Sequence, residues 1–198
     1  QTQGHLMSQT PLTLAETASV FGEMLTFRRV LEAETDPAKR RILLAGKGED
    51  MLNTVVRQIA FYCFEEKVHN ARRQGELTAE QICDFWMEIQ GESLGPAVRF
   101  DEHYRSFWAY IGHFIHAPFY VYAYAFGDCL VNALFAEYQR NPDGFQDKYL
   151  TLLSSGGRYR HQELLAPFGL DASDPAFWNQ GLDVIAGMID ELEVLSDG

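Results

Sequence analysis

Apolar residues recur along this chain at spacings of three and four, the period of an amphipathic helix. The first such stretch runs from Thr13 to about Glu34, entered through Thr10-Pro11 and ended by Thr35-Asp36-Pro37. A short basic helix, "AKRRILLA", follows, and Gly46-Lys47-Gly48 is expected to break it. The segment "EDMLNTVVRQIAFYCFEEKVHNARRQ" then predicts a long helix, with Val55, Ile59, Tyr62 and Val68 among its apolar positions and Gly75 past its end. Thr78 followed by Gln81 gives the next helix the start of a capping box. The aromatic region from His103 to Phe119 reads as irregular, with Pro118 in the first turn of a helix that reaches about Gln139. "PDGFQDKYLTLLSS" predicts a further helix stopped by Gly156-Gly157, and "DPAFWNQGLDVIAGMIDELEVL" an acidic amphipathic one. No strand pattern, repeat or low-complexity linker is visible. The expected fold class is all-α, a single multi-helix domain over residues 1–198, with residues 1–11 as a loop or disordered start.

Composition narrows the functional classes. The formal net charge of −12 excludes a general nucleic-acid binder, because no basic stripe is present to neutralise phosphates. Cys63, Cys83 and Cys129 are odd in number, far apart and set among apolar neighbours, which reads as reduced thiols and a cytoplasmic protein. The apolar run from Ala117 to Ala136 contains Asp128 and Asn132, so a buried helix is expected and no membrane span. The opening "QTQGHLMSQTP" lacks an initiator Met and reads like the middle of a longer protein.

Two carboxylates in the first helix call for a chemical reason. At about 100° per residue, Glu16, Val20, Glu23 and Phe27 share one stripe, while Leu14, Ala18, Phe21 and Leu25 form a second on the opposite side. A carboxylate on a face that also carries Val20 and Phe27 is expected to be costly to desolvate, so it needs an arginine, a network of donors or a metal. A structural ion pair and a metal both satisfy that demand. The second constellation is "HFIHAPFYVYAYAFG". Drawn as one helix, it puts His113, His116, Tyr120 and Tyr124 on one arc and turns Tyr122 away. Phenols and imidazoles there would suit hydrogen bonding to an oxyanion, or simple packing between helices.

"LTLAETASVFGE", "HFIHAPFYVYAYAFG", "LLSSGG" and "LLAPFGLDASDPAFWNQGLDVIAGMIDELE" together resemble the oligoendopeptidase F group of zinc metallopeptidases, relatives of thimet oligopeptidase. In that family two histidines and the general-base glutamate come from an HExxH helix, and the third ligand is a glutamate on a following helix. The resemblance implies one zinc ion, with Glu16 as the third ligand and Glu23 orienting a ligand histidine through its other ring nitrogen. It implies transition-state contacts from His113, Tyr120 and Tyr124, and substrate contacts from His116, Tyr122, Gly156 and Gly157. Relatives hold their zinc in a deep channel, so short unstructured peptides are the implied substrates.

No HExxH occurs in these 198 residues. The sequence is therefore expected to be the C-terminal portion of a peptidase catalytic domain, partnered by the remainder of that domain. Alone it should be inactive, with zinc absent or weakly bound, and exposed apolar surface should favour self-association. Three other readings compete. One is a helical interaction domain without catalysis. Another is a carboxylate-bridged di-iron protein built on Glu66-Lys67-Val68-His69, which has one of the two Glu-x-x-His motifs such proteins use. The last is a metal site made by His113, His116 and Glu16 within this chain.

Overall fold

The protein was analysed as a computed structural model that describes residues 3–196, apart from the side chains of Leu12 and Thr13. The described residues are all-α, with no strand among them. The helices are α1 (Leu12–Ala15), α2 (Thr17–Ala33), α3 (Pro37–Met51), α4 (Arg57–Arg72), α5 (Ala79–Leu94), α6 (His113–His116), α7 (Tyr122–Arg140), α8 (Phe145–Ser154), α9 (His161–Leu165) and α10 (Pro175–Ser196). A π-helical turn, Leu52–Val56, joins α3 to α4, and a 3-10 segment, Glu102–Tyr110, fills the aromatic region before α6. The chain divides into two compact units, one built from the described residues up to Met51 together with those from Phe126, the other from Leu52–Ala125.

In the first unit α10 packs along α3, and Arg40 of α3 donates to Glu191 of α10 at 2.5 Å. Phe21 of α2 lies in a nest of rings, Phe135, Tyr138, Phe145 and Tyr149, with centroids 4.5 to 6.2 Å away. The Tyr149 hydroxyl is satisfied by the Thr17 carbonyl at 2.9 Å, as a buried phenol requires. The apolar run around Cys129 is the buried helix expected, with Leu130, Val131, Ala133 and Leu134 fully covered on all sides of α7. Its two polar residues meet each other, Asn132 donating to Asp128 at 3.0 Å one turn apart. No described helix is long and apolar enough to cross a membrane.

The core of the second unit is Phe61 and Phe64 of α4, Trp86 of α5 and Val121, with Tyr104, Phe107 and Phe114 packed around them. The predicted cap of α5 is present, Thr78 accepting from the Gln81 N–H at 3.3 Å while its own N–H donates to the Gln81 side chain at 2.9 Å. All three cysteines are free thiols, Cys129 buried and the other two partly so.

Three local expectations need correcting. Gly46 and Gly48 do not interrupt α3, because Lys47 between them is buried and held by tertiary contact, which outweighs the modest helix penalty of glycine. The first helix is not continuous, since Glu16 falls at the junction of α1 and α2. Pro118 lies ahead of α7 instead of inside its first turn, and Phe119 after it has a φ of 60°, a left-handed backbone in which no helix of L-residues can start.

Candidate active site

The face of α2 that is buried carries Thr17, Phe21, Met24 and Leu31, a repeat of three to seven that leaves Glu16 and Glu23 exposed. The expectation of desolvated carboxylates is thereby overturned. Both stripes of α2 bear apolar residues, and the Phe21 stripe won because four rings wait for it. Glu16 has its Oε2 3.2 Å from the Ser19 hydroxyl, a helix-start arrangement available in water. Glu23 receives Lys47 Nζ at 2.5 Å, and the two partners differ sharply in burial, the lysine being 7% exposed and the glutamate 58%. The buried partner of the pair is Lys47, at the apolar register of α3 between Leu44 and Met51. Asp128 is the buried carboxylate of this unit. Burial raises its pKa to about 6 against the opposing pull of Lys47 and the Asn132 hydrogen bond, with Glu23 adding to the rise.

In the second unit His113, Tyr120 and Tyr124 come together, although no single helix contains them. His113 opens α6, a turn at Pro118 reverses the chain, and Tyr124 lies in the first turn of α7. Tyr120 stacks on the His113 ring at 5.4 Å, Tyr124 meets it edge-on at 5.9 Å, and the two phenol rings are 5.3 Å apart. The Tyr124 hydroxyl is 3.4 Å from His113 Nε2. His113 and Tyr124 line a hollow of about 570 Å³ whose other walls include Asn53 and Thr54 of the π-helical turn, Arg57, and Phe107. The Arg57 guanidinium lies over the Phe61 and Phe107 rings at 5.3 and 5.9 Å, so it is oriented by aromatic faces. An imidazole, a phenol and a guanidinium facing one hollow make a set of hydrogen-bond donors suited to a carbonyl oxygen that gains negative charge.

The other expected residues are placed elsewhere. His116 is exposed, and Tyr122 turns to Tyr62 with ring centroids 6.1 Å apart; neither lines this hollow. Gly156 and Gly157 lie beneath the segment before α1, where the Gly157 N–H donates to the Met7 carbonyl at 2.9 Å. A Cβ on Gly156 would come within 2.2 Å of that oxygen, and one on Gly157 within 2.6 Å of the Gln9 carbonyl. These glycines therefore have a backbone-packing reason for their small size. Glu66 and His69 are exposed on α4, and no three His, Cys, Asp or Glu side chains converge among the described residues. The di-iron arrangement therefore lacks the clustered donors it needs. Glu16 by itself offers one carboxylate, fit to be one ligand of several and too few to hold an ion.

Sequence reasoning missed Glu65. It is 2% exposed, accepts from the Phe119 N–H at 2.8 Å, and has its pKa raised by burial despite that bond and the nearby His69 and His113. The signal was available: Glu65 is one turn from Phe61 and next to Phe64, at the buried register of α4.

Comparison with known proteins agrees with the fold and extends it. The family model described as peptidase family M3 matches residues 1–184. A plasmid-encoded oligoendopeptidase F of Lactococcus lactis subsp. cremoris is 29% identical over 98% of this chain and 32% of its own length. Oligopeptidase PepF of Bacillus subtilis is 27% identical over 92% of this chain and 27% of its own. The solved structure of oligoendopeptidase-F from Enterococcus faecium superposes with a TM-score of 0.85 at 28% identity, over 94% of this chain and 36% of that one. The chain thus spans about a third of the length of the curated relatives it matches. With the match running through α1 to α10 in order, and with the helical fold shared, the chain belongs to peptidase family M3.

Proposed function

We propose that this chain forms part of a cytoplasmic, zinc-dependent oligoendopeptidase that hydrolyses short, unstructured peptides. The observation that carries this reading is the convergence of His113, Tyr120 and Tyr124 beside a hollow, in a chain of a peptidase family. Zinc, when bound, supplies a Lewis acid and a water of lowered pKa. Glu16 is one carboxylate donor to it, and the two histidines and the base come from an HExxH helix outside these 198 residues. Glu23 is paired with Lys47 and can accept from an imidazole N–H on its exposed side. Tyr124 and His113 donate to the oxyanion of the tetrahedral intermediate, while Tyr120 holds the imidazole plane by stacking. His116 and Tyr122, both exposed, contact substrate outside that hollow.

The test is made in the enzyme that joins this chain to its HExxH helix. Tyr124→Phe should lower kcat roughly 10²- to 10³-fold, the loss typical of one oxyanion donor, with zinc content unchanged. Glu16→Ala should remove zinc and activity together. An active Tyr124→Phe enzyme returns Tyr124 to packing, and a Glu16→Ala enzyme that retains its zinc removes Glu16 from the metal.

A further inference from the structure

The linker between α6 and α7 carries Tyr120 and sets the distance from His113 to Tyr124. Its backbone hydrogen bonds are local, with one exception. The N–H groups of Ala117 and Tyr120 are used inside the turn, donating to the carbonyls of His113 and Ala117. Pro118 has no N–H. The Phe119 N–H donates instead to Glu65 of α4, 54 residues earlier in the chain, at 2.8 Å. Phe119 is also the one non-glycine with positive φ among the described residues, an aromatic residue in a backbone region that disfavours it. Strain of that kind persists where the surroundings hold it. Here they are the Glu65 hydrogen bond and the rings of Tyr62 and His69, 6.0 and 4.8 Å from the Phe119 ring.

For stability alone, Glu65 is a poor choice. Its Oε2 is buried without a hydrogen-bond partner, and its neighbours Phe61 and Phe64 belong to the aromatic core. A leucine there would add apolar burial and remove the unmet Oε2, and only the Phe119 N–H would lose its acceptor. What glutamate adds is a rigid acceptor aimed at the linker.

We infer that Glu65 is a positioning residue for the peptidase reaction: it pins the strained Phe119 backbone and so fixes Tyr120 against His113. This rests on the reading of His113 and Tyr124 as transition-state groups. Glu65 touches none of the reacting atoms; it acts through the linker.

The experiment uses the same HExxH-containing enzyme, with hydrogen–deuterium exchange at Phe119 read beside steady-state kinetics on a short peptide. Glu65→Leu should lose protection at Phe119 and lower kcat roughly 10- to 100-fold, as a displacement of about 1 Å does, with KM changed little and zinc retained. Glu65→Gln keeps the reach and an acceptor oxygen and should restore both protection and most of the turnover. Glu65→Asp keeps the charge but retracts it by one methylene, and should behave like Glu65→Leu. Undiminished protection in Glu65→Leu overturns the inference whatever the activity. Protection lost with turnover intact overturns it too, provided His113→Ala is inactive. An active His113→Ala enzyme instead sinks the functional reading beneath it. An Asp variant that works where the Gln variant fails shows that charge, not the pin, is what matters, and also overturns it.

Discussion

Asp128 makes the pH dependence of stability a direct probe of burial on α7. Its carboxyl is raised from an ordinary 3.8 to about 6, with desolvation the largest cause. A folded pKa above the unfolded one means the native state holds the proton more tightly. Below about pH 4 the group is protonated in both states and its contribution to stability is fully present. That contribution is lost as pH rises through about 6, where the buried carboxyl must ionise. A displacement of roughly two pH units corresponds to about 3 kcal/mol, reached by pH 7 and constant above it. Asp128→Asn removes the ionisation and keeps the acceptor for Asn132, and its amide can also serve the otherwise unpartnered Asn132 Oδ1. The assay is urea denaturation followed by helical circular dichroism, for both proteins, from pH 4 to pH 8. The other carboxylates cancel in the difference between the two. The variant should match the native protein near pH 4 and exceed it by up to about 3 kcal/mol at pH 7. A flat difference curve would refute the argument. So would a variant less stable at pH 7, because it would mean that attraction from Lys47 outweighs desolvation.

Two further outcomes test the packing of the first unit. Phe21→Ala should destabilise by about 3–5 kcal/mol in the same assay, since Phe21 is 5% exposed and touches four rings. A loss below about 1 kcal/mol would mean the nest collapses onto the gap. Gly156→Ala should free the segment that holds Met7, because the new Cβ meets the Met7 carbonyl and the residue has a φ of +56°. The left-handed backbone alone makes alanine there unfavourable by about 1–3 kcal/mol. Limited proteolysis should cut around residues 5–9 faster in Gly156→Ala than in Gly22→Ala, where a Cβ meets nothing within 4 Å. Equal cleavage of the two variants would contradict the docking.

Helical period and capping made most of the fold legible. The α5 cap at Thr78 and the buried α7 follow from local sequence, because a capping box and an unbroken apolar run each have one good solution. Stripe choice on α2 does not, since Val20 and Phe27 compete with Leu14 and Phe21 and only the Phe135–Tyr149 rings decide between them. Lys47 was hidden because a charged residue between two glycines looks like a solvated break. Glu65 was hidden because "FEEKVH" offers two adjacent glutamates, and only the register with Phe61 tells the buried one from the exposed Glu66. The Tyr120 and Tyr124 pair was legible as a helical i, i+4 spacing, yet the geometry that unites them with His113 is a strained turn, which periodicity cannot describe.

That turn explains how so short an element as α6 can hold His113 in place. A helix of four residues such as α6 has almost no stability of its own, because nucleation consumes what its few hydrogen bonds return. His113 must therefore be held by what flanks it. On one side Phe114 packs its ring 5.6, 5.1 and 6.3 Å from those of Phe61, Phe64 and Trp86. On the other side of the linker, Val121 is 1% exposed and enters the same core. Between these two apolar anchors the backbone bonds locally within the turn, and the Glu65 hydrogen bond ties it to α4. Residues 113 and 120 are thus each held by a neighbour packed into that core, which leaves their own rings free to face each other. The aromatic core of α4 and α5 is in this sense the rigid support of the site.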